Sequence, residues 1–482
     1  MSVKKKPISK LFLYRHRFGI GYLLLGLAFV TLLFTLPLFT QQGLSEAEIE
    51  SATSSYYLSV DSAVTGDLVD LPYRLLQKSS IMIFGLTAYS IKLPSIIVGL
   101  LLGILLILLL NRWFKNNVSL LASCLVILST PFLYLAGSGT PLIMLVFWPT
   151  FLLWLGSKIQ GEQKPKPLYS IIFALALLMA VFTPYMIYFA IISVIFAITQ
   201  PHLRFVLKSL PKIPLIITGL IVVSGLAALI VNIINNGNTI ADLLASRNLS
   251  PEVFWNNLKT GLKPLLSWRT NVESIFLAPL ISLPTFAIAL IGLFSTTKGF
   301  FASRNSIASL LIVFTIIIAG FNSNAIIFFI LPLSILTAHG LKYVLEKWYG
   351  LFPENPYARV SAIFPLIILF GLIIIPSLSQ YIFGYHYNPN LANSFTNELT
   401  TVRKNLNDEN LLVPESKSAF YRIIENSSSI KIITQLPEEK LEHFASLGKL
   451  DNLSPNYELS RIITSAKSDN SDIIYLYTAK GE

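Results

Sequence analysis

Six carboxylates and two cations crowd residues 41–91: Glu46, Glu48, Glu50, Asp61, Asp67 and Asp70, followed by Arg74 and Lys78. A carboxylate beside a hydroxyl can act as a general base. A cation beside a phosphate can neutralise the charge that grows as the phosphate departs. Glu46 and Glu48 are therefore candidate catalytic carboxylates, and Arg74 and Lys78 candidate contacts for an anionic substrate. Each group also has a plainer assignment. Ser45 followed by acids reads as a helix cap with first-turn dipole compensation. Arg74 and Lys78 read as cations reaching for lipid headgroups.

The rest of the chain must position these groups. Of 482 residues, 54% are hydrophobic and only 13% charged, and the mean hydropathy is +0.66. Soluble domains carry about 25% charged residues, so the composition is that of a polytopic membrane protein. The net charge is +11, but the excess lies ahead of the first apolar run and in short loops. Topology and headgroup contact account for it, and nucleic acid is excluded as a partner. The single cysteine, Cys124, sits in an apolar run, which leaves no intrachain disulfide and no cysteine metal cluster.

Eleven apolar segments read as spans: 18–39, 93–111, 118–136, 141–157, 168–182, 184–199, 213–233, 276–294, 306–320, 325–340 and 360–379. The first is too long for a signal-peptide core and is expected to be retained. With the N-terminus placed in the cytoplasm, the short inside loops hold Arg112, Lys115, Lys158, Lys164, Lys166, Arg204, Lys208, Lys212, Lys298, Arg304, Lys342, Lys347 and Arg359. The short outside connections at 137–140, 184 and 321–324 hold no Lys or Arg. That asymmetry sets the orientation expected in a plasma membrane. No Asp, Glu, Lys or Arg falls inside a span as drawn, which argues against ion-coupled transport.

Two long outer loops result, 41–91 and 235–273. In the second, Ser250 is an N-cap and Pro251 occupies the first helical position. Phe254, Leu258 and Leu262 then line one face, with Trp255, Lys259 and Lys263 on the adjacent stripe. This pattern predicts an interfacial helix on the outer leaflet. Lys259, Lys263 and Arg269 are its candidate contacts for a phosphate. After the last span, residues 386–482 turn polar, with alternating helical and strand-like pieces. Helices are expected over 397–407, 419–426 and 437–447, between strands at 411–414, 430–434 and 472–478. That alternation predicts a small extracytoplasmic α/β domain beside a transmembrane domain of residues 1–385.

The order of motifs carries a resemblance. Ser45-Glu46 follows the first span, then come Leu71-Pro72-Tyr73, Phe84-Gly85 and Lys92-Leu93-Pro94-Ser95. Over roughly residues 20–200 this order resembles the GT-C glycosyltransferases, in particular their aminoarabinose-transferase and protein O-mannosyltransferase branch. The resemblance implies an inverting transferase that uses a polyprenyl-phosphate-linked sugar on the outer face. The acceptor would be an envelope glycan, lipid or protein. It adds Tyr73 to the substrate contacts. Two departures accompany it. Ser45 stands where the leading acid is expected, and the second outer loop, 136–142, has no acid. No metal site or required cofactor is therefore expected, although members of the family can use a divalent cation. Other readings are a non-catalytic protein of the same fold that binds polyprenyl lipids, or a polymerase, ligase or flippase of lipid-linked glycans.

Overall fold

A computed structural model describes residues 16–39, 43–59, 68–161, 167–199, 212–244, 250–267, 272–273, 276–298, 302–351, 357, 361, 363–385, 388, 391, 394–406, 409–426, 428–436, 441–450, 457–464 and 472–480. The helices of the apolar part are α1 (Arg17–Phe39), α2 (Glu46–Tyr56), α3 (Leu71–Phe84), α4 (Ala88–Trp113), α5 (Asn116–Ile127), α6 (Thr130–Gly137), α7 (Met144–Gly161), α8 (Pro167–Val181) and α9 (Met186–Thr199). They continue with α10 (Lys212–Asn235), α11 (Asn238–Leu243), α12 (Pro251–Leu266), α13 (Leu283–Thr297), α14 (Ser303–Phe321), α15 (Ile330–Leu351) and α16 (Ile363–Ser379).

Among the described residues, six helical stretches are long and apolar enough to cross a membrane: 18–35, 88–113, 141–160, 304–321, 323–351 and 364–384. The pair α5 and α6, bent by 63°, forms a seventh when taken as one span. Pro131 sits in the first turn of α6, where a proline leaves no helical hydrogen bond unmade. Shorter apolar helices at 168–181, 186–195, 219–235 and 283–297 occupy the remaining expected places. Exposed apolar side chains such as Leu101 and Ile104 on α4, and Ile368 and Leu372 on α16, form the surface a hydrocarbon phase would cover. The chain is a multi-pass membrane protein.

Close backbone approach holds the bundle together where side chains are smallest. A Cβ on Gly292 of α13 would stand 1.9 Å from the Leu336 carbonyl oxygen of α15, and one on Gly340 would stand 2.0 Å from the Ile288 oxygen. Small residues at such crossings let membrane helices pack by van der Waals contact. The helix expected in the second long loop forms as α12. It buries Leu258, Gly261 and Leu265 and leaves Trp255, Lys259 and Lys263 exposed. Its apolar face meets α14 and the 3₁₀ turn Ser323–Phe329, through Phe254 against Phe321.

The polar C-terminal part folds as α17 (Glu398–Asn405), α18 (Glu415–Glu425) and a five-stranded sheet. Its strands are β5 (Asn410–Leu412), β6 (Lys431–Ile433), β7 (His443–Ser446), β8 (Tyr457–Ile463) and β9 (Ile474–Ala479), in the order β6-β5-β7-β9-β8. β5 runs parallel to β6 and β7, and β9 runs antiparallel to β7 and β8. The helix expected over 437–447 is corrected here, because residues 443–446 form β7. Phe444 and Ala445 are both fully buried, since a central strand is covered on both faces and loses the alternation that would reveal it.

This sheet domain docks on the first loop. β1 (Leu44–Ser45) pairs with β4 (Phe395–Thr396), while β2 (Val272–Glu273) and β3 (Phe276–Leu277) form a separate hairpin. Leu44, Ala52, Ile81 and Leu86 share one core with Leu399, Val402 and Leu406. Arg403 donates to the Leu86 carbonyl at 2.6 Å, and Tyr57 to the Ala419 carbonyl at 2.9 Å. Gly43 makes the docking strand possible. Its φ is +100°, and a Cβ there would lie 1.9 Å from the Thr396 oxygen. Gly43→Ala is expected to destabilise the docked domain by about 2–4 kcal/mol, adding left-handed strain to overpacking. Thermal unfolding and limited proteolysis of the C-terminal domain check this, and a wild-type profile would contradict it.

Candidate active site at the first loop

The candidate carboxylates sit at the start of α2, and the local sequence explains why the helix begins there. Ser45 is extended, its hydroxyl accepts from the Glu48 amide at 3.3 Å, and the Glu48 carboxylate accepts from the Ser45 amide at 2.8 Å. This reciprocal capping box satisfies two amides that the helix end would leave unpaired. Glu46 and Glu48 also place negative charge where the helix dipole favours it. The capping role expected of these residues holds, but Glu48 does not lie on a solvated face.

The two glutamates differ sharply in surroundings. Glu46 is exposed. Glu48 is 1% exposed, and every contact it makes tightens the loop. Its Oε1 accepts from the Gly139 amide at 2.6 Å and lies 3.8 Å from Lys92 Nζ. Its Oε2 takes the Ser45 amide and hydroxyl. Lys92, 3% exposed, donates to the Gly43 carbonyl at 2.8 Å. A buried charge is tolerated only when paired and hydrogen-bonded, and Glu48 and Lys92 meet both conditions together.

Lys92 corrects the expectation that no Asp, Glu, Lys or Arg lies within a span. α4 starts at Ala88 rather than 93, capped by Thr87 and Ser90, so Lys92 stands in its second turn. Gly139 supplies the other half of the clamp. A Cβ there would come within 2.9 Å of Ile91 Cγ2 and 3.0 Å of the Ile91 oxygen. The turn at 137–140, which lacks the expected acid, instead brings a bare amide to an acid from the first loop.

Behind this clamp runs a buried polar lattice. Gln77, fully buried, donates from Nε2 to the Ile91 and Gly139 carbonyls at 3.1 and 3.0 Å. Its Oε1 accepts from Ser51 and Ser55, each at 2.8 Å. Tyr73 is fully buried, with its hydroxyl 2.7 Å from Ser95 Oγ, which donates on to the Thr140 carbonyl. Burial pushes the Tyr73 hydroxyl far above its ordinary range, against a smaller opposing effect of the Ser95 bond. It therefore stays protonated and serves as a neutral hydrogen-bonding group.

Arg74 and Lys78 share a face of α3 and close the other end of α2. Arg74 donates to the Ser54 carbonyl at 2.8 Å and to that of Val69 at 3.4 Å, and Lys78 donates to the Leu58 carbonyl. Cations at a helix C-terminus complement its dipole, and both side chains remain partly exposed. The structure thus joins Glu48, Tyr73, Arg74 and Lys78 in one assembly with Glu46 at its surface. Lys259 and Lys263 project from a separate helix, α12, and Arg269 lies outside the described residues.

Sequence reasoning gave no site role to Gln77 or Gly139 and used Lys92 and Ser95 only as parts of a motif. One signal was available for Lys92: a lysine directly ahead of a long apolar run needs a partner or an exit to water. Among the described residues, no group of three or more His, Cys, Asp or Glu is placed to hold a metal ion.

Comparison with known proteins places this assembly in a context. The sequence profile of the dolichyl-phosphate-mannose-protein mannosyltransferases matches residues 72–228, from α3 into α10. No functionally curated protein is detectably similar in sequence. Several solved structures share the fold, those of two proteins among them. One is the Archaeoglobus fulgidus oligosaccharyltransferase AglB in complex with an inhibitory peptide and a dolichol-phosphate, with TM-score 0.54 and 12% identity over 87% of this chain. The chain spans 64% of that protein's length. The other is ArnT from Cupriavidus metallidurans, with TM-score 0.52 and 13% identity over 95% of this chain and 98% of that one. ArnT has also been solved bound to undecaprenyl phosphate, and that structure matches with TM-score 0.50 and 12% identity. The fold of the chain is that of the GT-C membrane glycosyltransferases.

Proposed function

We propose that the chain transfers a sugar from a polyprenyl-phosphate donor to an envelope glycan, lipid or protein acceptor on the outer face of the plasma membrane. In the transfer, the acceptor oxygen attacks the anomeric carbon as the bond to the phosphate oxygen breaks. Polyprenyl phosphate leaves, and the configuration inverts in the single displacement. Glu46 takes the acceptor proton. Glu48, held by Lys92 and the Gly139 amide, fixes the helix start that presents Glu46. Arg74 and Lys78, on α3 at the far end of α2, are the cations assigned to the phosphate of the donor. Tyr73, fully buried against Ser95, positions α3 and does not meet the substrate. Lys259, Lys263 and Arg269 are the cations the second outer loop adds.

The observation that carries this reading is the division of labour between the carboxylates. One is sealed into a clamp at the end of α4, and the other stands open one residue after the cap. A second reading, a non-catalytic protein that binds polyprenyl lipid, draws on Ser45 standing where an acid leads the motif in the GT-C branch it resembles. Both readings require a polyprenyl-phosphate site. Undecaprenyl phosphate at 100 times its Kd should therefore stabilise the purified protein by about 2.7 kcal/mol. Inorganic phosphate at the same concentration should not. A melting temperature that does not respond to undecaprenyl phosphate would defeat both.

A further inference from the structure

The end of the bundle away from the C-terminal domain holds a cavity of about 440 Å³ among α4, α7, α8, α9 and α14. Its walls are apolar, with Leu152, Phe173, Phe189 and Leu311 among them, and Ser157, Gln160 and Arg304 supply polar groups. Among the described residues, no acidic one lines it. Gly156 helps keep it open, since a Cβ there would meet nothing within 4 Å.

Two guanidinium groups flank this space. Arg304 donates to the Trp113 carbonyl at 2.9 Å, and its guanidinium carbon lies 5.7 Å from the Phe114 ring centre. That bond takes one of five N–H donors and fixes the cation at the cavity wall. Arg112 donates to the carbonyl of Ser157, itself a lining residue, at 3.5 Å. Lys158 and Lys298 stand on neighbouring helix ends. An apolar interior with fixed cations at its wall complements an amphiphile that carries a negative head. The volume falls within the range of about 300–1,000 Å³ common for small-molecule sites. It suits one unbranched acyl chain and is small for a long polyprenyl chain. Within α4, Trp113 lies 21 residues beyond Lys92, about 31 Å at the helical rise, so the cavity is remote from the candidate active site.

We propose that this cavity binds an anionic phospholipid, with one acyl chain inside and the phosphate at Arg304 and Arg112. The full chain in phosphatidylcholine nanodiscs, with and without phosphatidylglycerol, provides the test, read as melting temperature and as lipid retained after exchange. Phosphatidylglycerol should be retained over phosphatidylcholine. Arg304→Gln should weaken that retention about tenfold, as expected for loss of a charge-assisted contact, and Arg304→Lys should keep most of it. Gly156→Leu fills the space with a better helix former, so it should fold, lose phosphatidylglycerol and keep the response to undecaprenyl phosphate. Equal retention of the two phospholipids would overturn the assignment, as would an effect of inorganic phosphate equal to that of phosphatidylglycerol. Displacement of phosphatidylglycerol by undecaprenyl phosphate would also overturn it, as would loss of both lipid responses in Gly156→Leu.

Discussion

Glu48→Ala is expected to destabilise the protein by about 3–5 kcal/mol, the cost of removing one partner from a buried ion pair. Lys92 would remain 3% exposed and lose the carboxylate that lies 3.8 Å from its ammonium. Three further donors, the Gly139 amide and the amide and hydroxyl of Ser45, would also lose their acceptor. Lys92→Met should cost less, because Glu48 keeps those three bonds. The double variant Glu48→Gln/Lys92→Met should recover much of the loss, since a neutral amide can still accept from Gly139 and no isolated charge is left behind. Unfolding of Glu48→Gln, Lys92→Met and their double variant in one detergent gives the coupling directly. Single losses below about 1 kcal/mol, in the range of exposed pairs, would show that the pair does not hold the loop.

Glu46→Gln should behave in the opposite way. Its side chain is exposed, so stability should change only by the loss of a first-turn charge, about 0.3–1 kcal/mol. Sugar transfer should fall by about 10²–10⁴, the typical contribution of a positioned general base. Glu48→Gln should lose stability and transfer together, because it loosens the cap that presents Glu46. Comparing kcat with melting temperature separates the two roles. Full activity in Glu46→Gln would remove that residue from the chemistry.

Much of this architecture is legible in the sequence, and what escapes does so for physical reasons. Each of the eleven apolar segments contains a helix, because long apolar runs with charges confined to their ends leave little else to form. Among the described residues only six or seven are long enough to cross a membrane, and residues 276–282 form β3 and a loop. The two faces of α12 follow from the spacing of Phe254, Leu258 and Leu262 against Trp255, Lys259 and Lys263. The start of α4 is less legible, since Thr87 and Ser90 form a capping box that starts the helix at Ala88, five residues ahead of the apolar run. Moving that boundary puts Lys92 inside the helix. The burial of Glu48 is non-local, because its partners lie 44 and 91 residues away. From sequence alone, an acid in a first turn looks like an ordinary cap, and Glu48 is one as well as the anchor of the clamp. β7 was missed because a central strand need not alternate.

Transfer itself tests the central claim most directly. The purified chain, in liposomes with a panel of polyprenyl-phosphate-linked sugars and an envelope-extract acceptor, should release free polyprenyl phosphate and deposit the matching sugar with inverted configuration. The rate should drop at least a hundredfold in Glu46→Gln. Binding of undecaprenyl phosphate with no donor consumed across the panel would contradict the enzyme and leave a lipid-binding protein of the same fold.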